Sequence, residues 1–168
     1  MTGVVGGVGA RTLTRLLAGA IPAQTIHLTP QQRYCDVLVT SVHASANDKQ
    51  LPRALSFIVG RPLLVVMHTV PGPIPSLSRA KIRSATAHVH DVVHVPFFAD
   101  WVKLPEQPGR GELPKKMAAV RAEVLAALRS SWAAAEEVAR IQRPAPTQPP
   151  SGPFGRFVNL TTPEGQYS

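Results

Sequence analysis

Near the start of the chain a run of small residues, Gly6, Gly7, Val8 and Gly9, leads into Ala10, Arg11 and Thr12. A short apolar stretch precedes this run and a helix is expected from about Ala10, so the local context is strand, glycine-rich turn, helix. Such a turn can cradle a phosphate. Glycine reaches φ > 0 and lets the backbone approach an anion closely, while the first amides of the helix and its dipole favour negative charge. Arg11 and Arg15 lie near this N-terminus, where a cation opposes the dipole by about 0.3 to 1 kcal/mol, an effect that a bound anion offsets. The competing use of the turn is purely structural, with Arg11 extended into solvent.

Other residues could also carry chemistry. His88, His90 and His94 are close in sequence, but no cysteine, second carboxylate or repeated spacing joins them into a metal set, and ordinary surface and strand histidines are the expectation. Cys35 begins an apolar run and reads as a small hydrophobe rather than a nucleophile. Arg79, Lys81 and Arg83 alternate along one segment, with Arg53 and Arg61 beside the neighbouring one. They form either a solvated face or a surface for DNA phosphates. Phe97, Phe98 and Trp101 follow the last apolar run, where they either wall a ligand site, pack a helix onto the sheet or meet a protein partner.

The elements that must position these residues follow from hydrophobic periodicity. Residues 37 to 42 (VLVTSV), 63 to 67 (LLVVM) and 92 to 95 (VVHV) are continuous apolar runs, and the stretches between them, 48 to 59 and 77 to 89, carry helical spacing. Ser76 is the expected cap of the second of these helices and Pro96 closes the last strand. Runs that do not alternate are buried on both faces, which predicts a parallel sheet sandwiched by helices with right-handed crossovers. Met1 to Val5 would be the first strand, and residues 24 to 28 (QTIHL) could add a short edge strand. From Glu112 to Ile141, Met117, Val120, Val124, Leu128, Trp132, Ala135 and Val138 recur every three or four residues, predicting one long helix whose apolar stripe packs on the sheet.

Composition bounds the rest. With 168 residues, 44% of them apolar and 17% charged, the chain suits one domain with a real core. Residues 1 to 142 are read as that domain. Residues 143 to 168 hold six prolines and no periodicity and are read as a flexible tail, its apolar island being Phe154, Phe157, Val158 and Leu160. One cysteine excludes an internal disulfide and a cysteine-based zinc site, and the expected compartment is the cytoplasm. No apolar run is long enough for a membrane span, and no signal peptide is legible. The net charge of +8, with thirteen of the 18 cations arginine, allows an anionic partner, although a GC-rich genome also enriches arginine.

The glycine turn resembles GGxGK[ST], the core of the deviant Walker A motif of the MinD/ParA-like P-loop ATPases. On that pattern Gly6, Gly7, Val8 and Gly9 match, Ala10 stands at the phosphate-binding lysine, Arg11 at the magnesium-binding Ser/Thr, and Thr12 at the common second threonine. Val5 replaces the signature lysine of the group. Shifting by one residue would put Arg11 on the lysine and Thr12 on the magnesium position but Ala10 on a glycine; the register with three glycines is preferred. Asp36-Val-Leu-Val-Thr is similar to the family's "ADxVLVVTxP" strand and RPLLVVMHTV to its "VVVNR" strand, with His68 in place of the base-reading asparagine. Val95-Pro96, Asp100 and Gly111 to Pro114 are similar to its "IPxD...GxP" ending. The similarity spans roughly residues 1 to 140 and is to divergent members in high-GC bacteria.

The resemblance implies a reduced three-layer α/β sandwich of P-loop NTPase type. It also implies an ATP or ADP site at Gly6, Gly7, Val8, Gly9, Ala10, Arg11, Thr12, His68 and Pro96. The departures imply little catalysis. Only about 15 residues separate the first helix from the Asp36 strand, too few for the strands that carry the family's aspartates, and no Walker B carboxylate is found. Phosphoryl transfer needs a lysine and Mg²⁺ to neutralise developing charge, so Mg²⁺ binding is not expected. The implied function is a degenerate, nucleotide- or anion-binding accessory in DNA partitioning, transfer or positioning, working with a protein partner such as a second copy or an ATPase. The alternatives are a slow ATPase completed by a second subunit and a basic DNA-binding accessory without nucleotide.

Overall fold

The structure, a computed structural model, describes residues 1–3, 9–25, 33–46, 49–103 and 113–142. The three apolar runs form strands where periodicity places them. After the two-residue β1 (Thr2–Gly3), these are β2 (Val37–Ser41), β3 (Leu63–Met67) and β4 (Val92–Val95). All neighbours are parallel, in the order β1-β2-β3-β4, with Thr2 opposite Leu38, Val37 opposite Leu63 and Leu64 opposite Val92. Every residue of β2 and β3 is buried, as expected when both faces are covered. The chain is therefore α/β, with a small parallel sheet whose body is β2, β3 and β4.

Among the described residues five α-helices surround it: α1 (Ala10–Leu17), the single-turn α2 (Val42–Ser45), α3 (Gln50–Phe57), α4 (Ser76–Ala85) and α5 (Lys115–Gln142). Strand alternation sends side chains to two separate clusters. Val37, Val39, Leu63, Val65, Met67, Val93 and Val95 pack with Leu13, Leu16 and Leu17 of α1 and with Met117, Val120, Val124 and Leu128 of α5. Leu38, Leu64 and Val66 pack instead with Val42 of α2, Leu51 of α3 and Ile82 and Ala85 of α4. Two serine hydroxyls, of Ser45 and Ser78, donate to the Val42 carbonyl at 2.8 and 2.7 Å and join α2 to α4.

Helix α1 lies with α5 on one face of the sheet, and α3 and α4 lie on the other. Each connection steps in the same direction along the sheet. The connections β2–α3–β3 and β3–α4–β4 lie on the same face and therefore share one hand.

Smaller differences have local causes. Val42 turns into α2 rather than extending β2, because the Ser41 hydroxyl accepts the Ala44 amide at 3.0 Å. Helix α4 starts at Ser76 with Pro75 at its cap position and no side-chain cap bond; Ser76 is thus its first residue, not its cap. It ends at Ala85, and the chain runs through a 3₁₀ turn, Thr86–His88. Gln24 and Thr25 belong to no strand, and residues 26–28 of the proposed edge strand lie outside the described residues, as do Asp48, Glu112 and the proline-rich segment from 143 onward.

The long helix forms, but only its first half has the buried stripe. Met117, Val120, Val124, Leu125 and Leu128 are buried, whereas Trp132, Ala135 and Val138 are exposed. The reason is length. A helix of 28 residues spans about 42 Å at 1.5 Å per residue, while a five-residue strand spans about 17 Å.

Candidate functional site

The carboxyl ends of parallel strands and the start of α1 converge at one edge of the sheet. Gly9 is the residue before α1, at φ +93°, and its carbonyl accepts the first helical hydrogen bond, from the Leu13 amide at 2.9 Å. The amides of Ala10, Arg11 and Thr12 precede that bond and have no partner within the helix. No side chain caps this end and no acidic residue lies in the first turn. Arg11 is exposed and Thr12 half-buried. A β-carbon on Gly9 would lie 3.1 Å from Cγ of Met67, the last residue of β3, so the turn sits directly against the carboxyl end of that strand.

His68 follows Met67, and its amide donates to the Val95 carbonyl at 2.9 Å, which brings His68 beside Pro96 at the end of β4. Gly9, Ala10, Arg11, Thr12, His68 and Pro96 therefore all lie at the carboxyl edge, where open α/β sheets bind ligands. Gly6, Gly7 and Val8 lie outside the described residues.

Among the described residues at the start of α1, the groups with no helical partner are backbone N–H donors. These are the amides of Ala10, Arg11 and Thr12, and the Arg11 side chain in the same turn is an exposed cation. Asp36 is at the opposite, amino edge, where it accepts the Trp132 indole N–H at 2.9 Å. Among the described residues no three His, Cys, Asp or Glu side chains are arranged to hold a metal ion.

One pairing was not legible in the sequence. His68 and His94 are 26 residues apart, yet their rings meet edge to face with Nε2 of His68 3.4 Å from Nδ1 of His94. The parallel register is responsible, because Val66 faces His94 and His68 lies two residues further along. Burial lowers the pKa of both rings; His68 is lowered further by the charge of His94, and Glu123 partly offsets the effect at His94.

A histidine whose pKa is lower folded than unfolded binds fewer protons in the folded state, so stability is full above the unfolded value of about 6.5 and declines as pH falls below it. Urea unfolding of the intact chain between pH 7.5 and 5 is expected to show this decline, and His68→Asn to flatten it. An equal slope in the variant would remove the pair as its source.

The remaining candidates separate cleanly. Phe98 and Trp101 meet edge to face at 5.1 Å between centroids and pack against the core cluster that holds α5, whereas Phe97 stays 38% exposed. His90 contacts Ser130 of α5 at 3.2 Å and does not join His94. Burial pushes the Cys35 thiol up to about 11, opposed by the amino terminus and reinforced by Asp36, so it is not an activated nucleophile. Arg79 and Arg83 are exposed four residues apart on α4, on one helix face, with Arg53 exposed on α3 beside it; Lys81 is half-buried. No helix among the described residues is long and apolar enough to cross a membrane. Comparison with known proteins gave no match: no family model, no curated protein and no solved structure is significantly similar to this chain.

Proposed function

We propose that this chain is a reduced, catalytically degenerate MinD/ParA-like protein of P-loop sandwich type. In this reading it binds a phosphate-bearing anion such as ATP or ADP at its glycine turn and acts as an accessory in DNA partitioning, transfer or positioning. The observation that carries the reading is the uncapped start of α1. Three amides without helical partners, a glycine at positive φ and an exposed Arg11 in the first turn come together at the carboxyl edge of a parallel sheet. With no acidic residue there, the dipole and the arginine both favour negative charge. His68 and Pro96 would border the base, and the residues of the turn would hold the phosphates through backbone amides.

The short chain between α1 and β2 leaves no room for the strands that carry the family's carboxylates, in keeping with Ala10 at the lysine position.

Titrating the purified chain with ATP and ADP, with and without Mg²⁺, tests the proposal. Saturable heat that is indifferent to Mg²⁺ is expected. Heat that appears only with Mg²⁺ would replace the reading by a slow ATPase completed by a second subunit. No heat at millimolar nucleotide would overturn nucleotide binding. A second reading, non-specific DNA contact without nucleotide, is favoured by the exposed Arg53, Arg79 and Arg83 on neighbouring helices. Its mark would be retention on DNA that falls steeply with salt and falls further when Arg79 and Arg83 are replaced by glutamine.

A further inference from the structure

The edge of the sheet opposite the glycine turn has a different character. Helix α5 crosses the sheet toward this amino edge, where Ser130 contacts His90 just before β4 and the Trp132 indole donates to Asp36 just before β2. Past Trp132 every residue to Gln142 is exposed. Ten residues of helix, about 15 Å, therefore extend beyond the domain with their apolar stripe uncovered. Val138 is 53% exposed and Ile141 75%.

The amino edge itself presents Tyr34, 70% exposed, and Val59, tied to it through the Val59 amide donating to the Arg33 carbonyl at 2.9 Å. Two arginines are held beside them. Arg33 donates its Nε to the Phe57 carbonyl at 2.8 Å and lies over the Phe57 ring, and Arg61 donates its Nε to the Val89 carbonyl at 3.0 Å. The projecting helix carries Glu136 and Glu137, with Arg140 paired to Glu137 at 2.8 Å.

We propose that the projecting end of α5 docks on the amino edge of a second copy of this chain, reciprocally, giving a two-fold dimer. The apolar stripe of one copy would cover Tyr34 and Val59 of the other, and Glu136 and Glu137 would face Arg33 and Arg61. The occupant is a second copy because this chain carries both halves of the contact, exposed acids on the projecting helix and, at the amino edge, exposed arginines whose Nε atoms are held by backbone carbonyls. Donor and acceptor surfaces also lie at the same edge of the sheet, which lets one two-fold axis satisfy both and closes the assembly. One ten-residue helix end alone buries too little for a specific interface of about 1,200 to 2,000 Å², and reciprocity doubles it. The surface is remote from the glycine turn, so the proposal does not rest on nucleotide binding.

Charge reversal tests it. One variant carries Glu136→Arg and Glu137→Arg, the other Arg33→Glu and Arg61→Glu; all four positions are exposed, and circular dichroism checks folding. Sedimentation equilibrium of the full chain should show a monomer–dimer equilibrium, weakened about tenfold or more in each variant alone. An equimolar mixture of the two variants should dimerise again, because each helix then meets an edge of opposite charge. Wild-type chain that stays monomeric at about 100 μM, well above the Kd of even a weak specific dimer, would overturn the proposal. So would variants that dimerise like wild type, which would place any dimer contact elsewhere, or a mixture that fails to dimerise. Greater dimerisation after removing residues 143–168, with no response to charge reversal, would assign the stripe to the chain's own tail and also overturn it.

Discussion

Leu64→Ala is expected to cost about 2 to 5 kcal/mol, the range for truncating a fully buried leucine where the surroundings relax only in part. Leu64 is in the central strand of the sheet body, fully buried, and shares its cluster with Leu38, Val66, Leu51 and Ile82. Helices α2, α3 and α4 cover that face, so the space left by the removed carbons is closed in by three helices and the sheet itself. Domains of this size are stable by about 5 to 15 kcal/mol, so the variant gives up a large share of the total. Urea unfolding followed by far-ultraviolet circular dichroism should show a lower midpoint with an unchanged slope. Leu77→Ala is the control: Leu77 is 52% exposed on α4, and its loss should stay within about 0.5 kcal/mol. Equal costs for the two would mean that the second core cluster contributes little to the fold.

Gly9→Ala should lower stability and anion binding together. At φ +93° an alanine meets the left-handed penalty of about 1 to 2 kcal/mol. Its β-carbon would also come within 3.1 and 3.2 Å of Cγ and Cε of Met67, which is itself buried. Crowding of that degree adds about 1 kcal/mol if the methionine shifts by a few tenths of an ångström. Combining Gly9→Ala with Met67→Ala separates the two causes, because only the crowding vanishes in the double variant. Since Gly9 sets the start of α1, any movement that relieves the crowding also displaces the amides of Ala10, Arg11 and Thr12. Nucleotide or phosphate titration should therefore weaken more than stability falls. A variant as stable as wild type would show that this turn tolerates a side chain and that the glycine serves no close approach.

How much of this was legible without coordinates depended on whether a feature was local. The limits of β3 and β4 and the start of α1 follow from continuous apolar runs, Pro96 and the glycine turn, because burial on both faces and backbone freedom are written in residue type. The gathering of Gly9, His68 and Pro96 at one edge was legible only through the resemblance, and the parallel order supplies its physical basis. The contact between His68 and His94 was not legible, since it arises from the offset between two paired strands rather than from spacing within either. Trp132 illustrates the same limit. Its place in the stripe marked it for burial, yet it stands where the helix leaves the sheet and makes its hydrogen bond to Asp36, 96 positions earlier.

By itself the sequence determined an α/β chain with continuous apolar strands, a glycine turn opening a helix, and a long amphipathic helix near the end. These depend on periodicity and backbone preference, which neighbouring residues decide among themselves. Only the tertiary structure decided which face α1 and α5 cover, the histidine pair, and the point where α5 runs out of sheet. Each of these depends on where one element ends relative to another distant in the chain. That relation is set by the packing of α1 and α5 on the opposite face from α3 and α4, which no local pattern encodes.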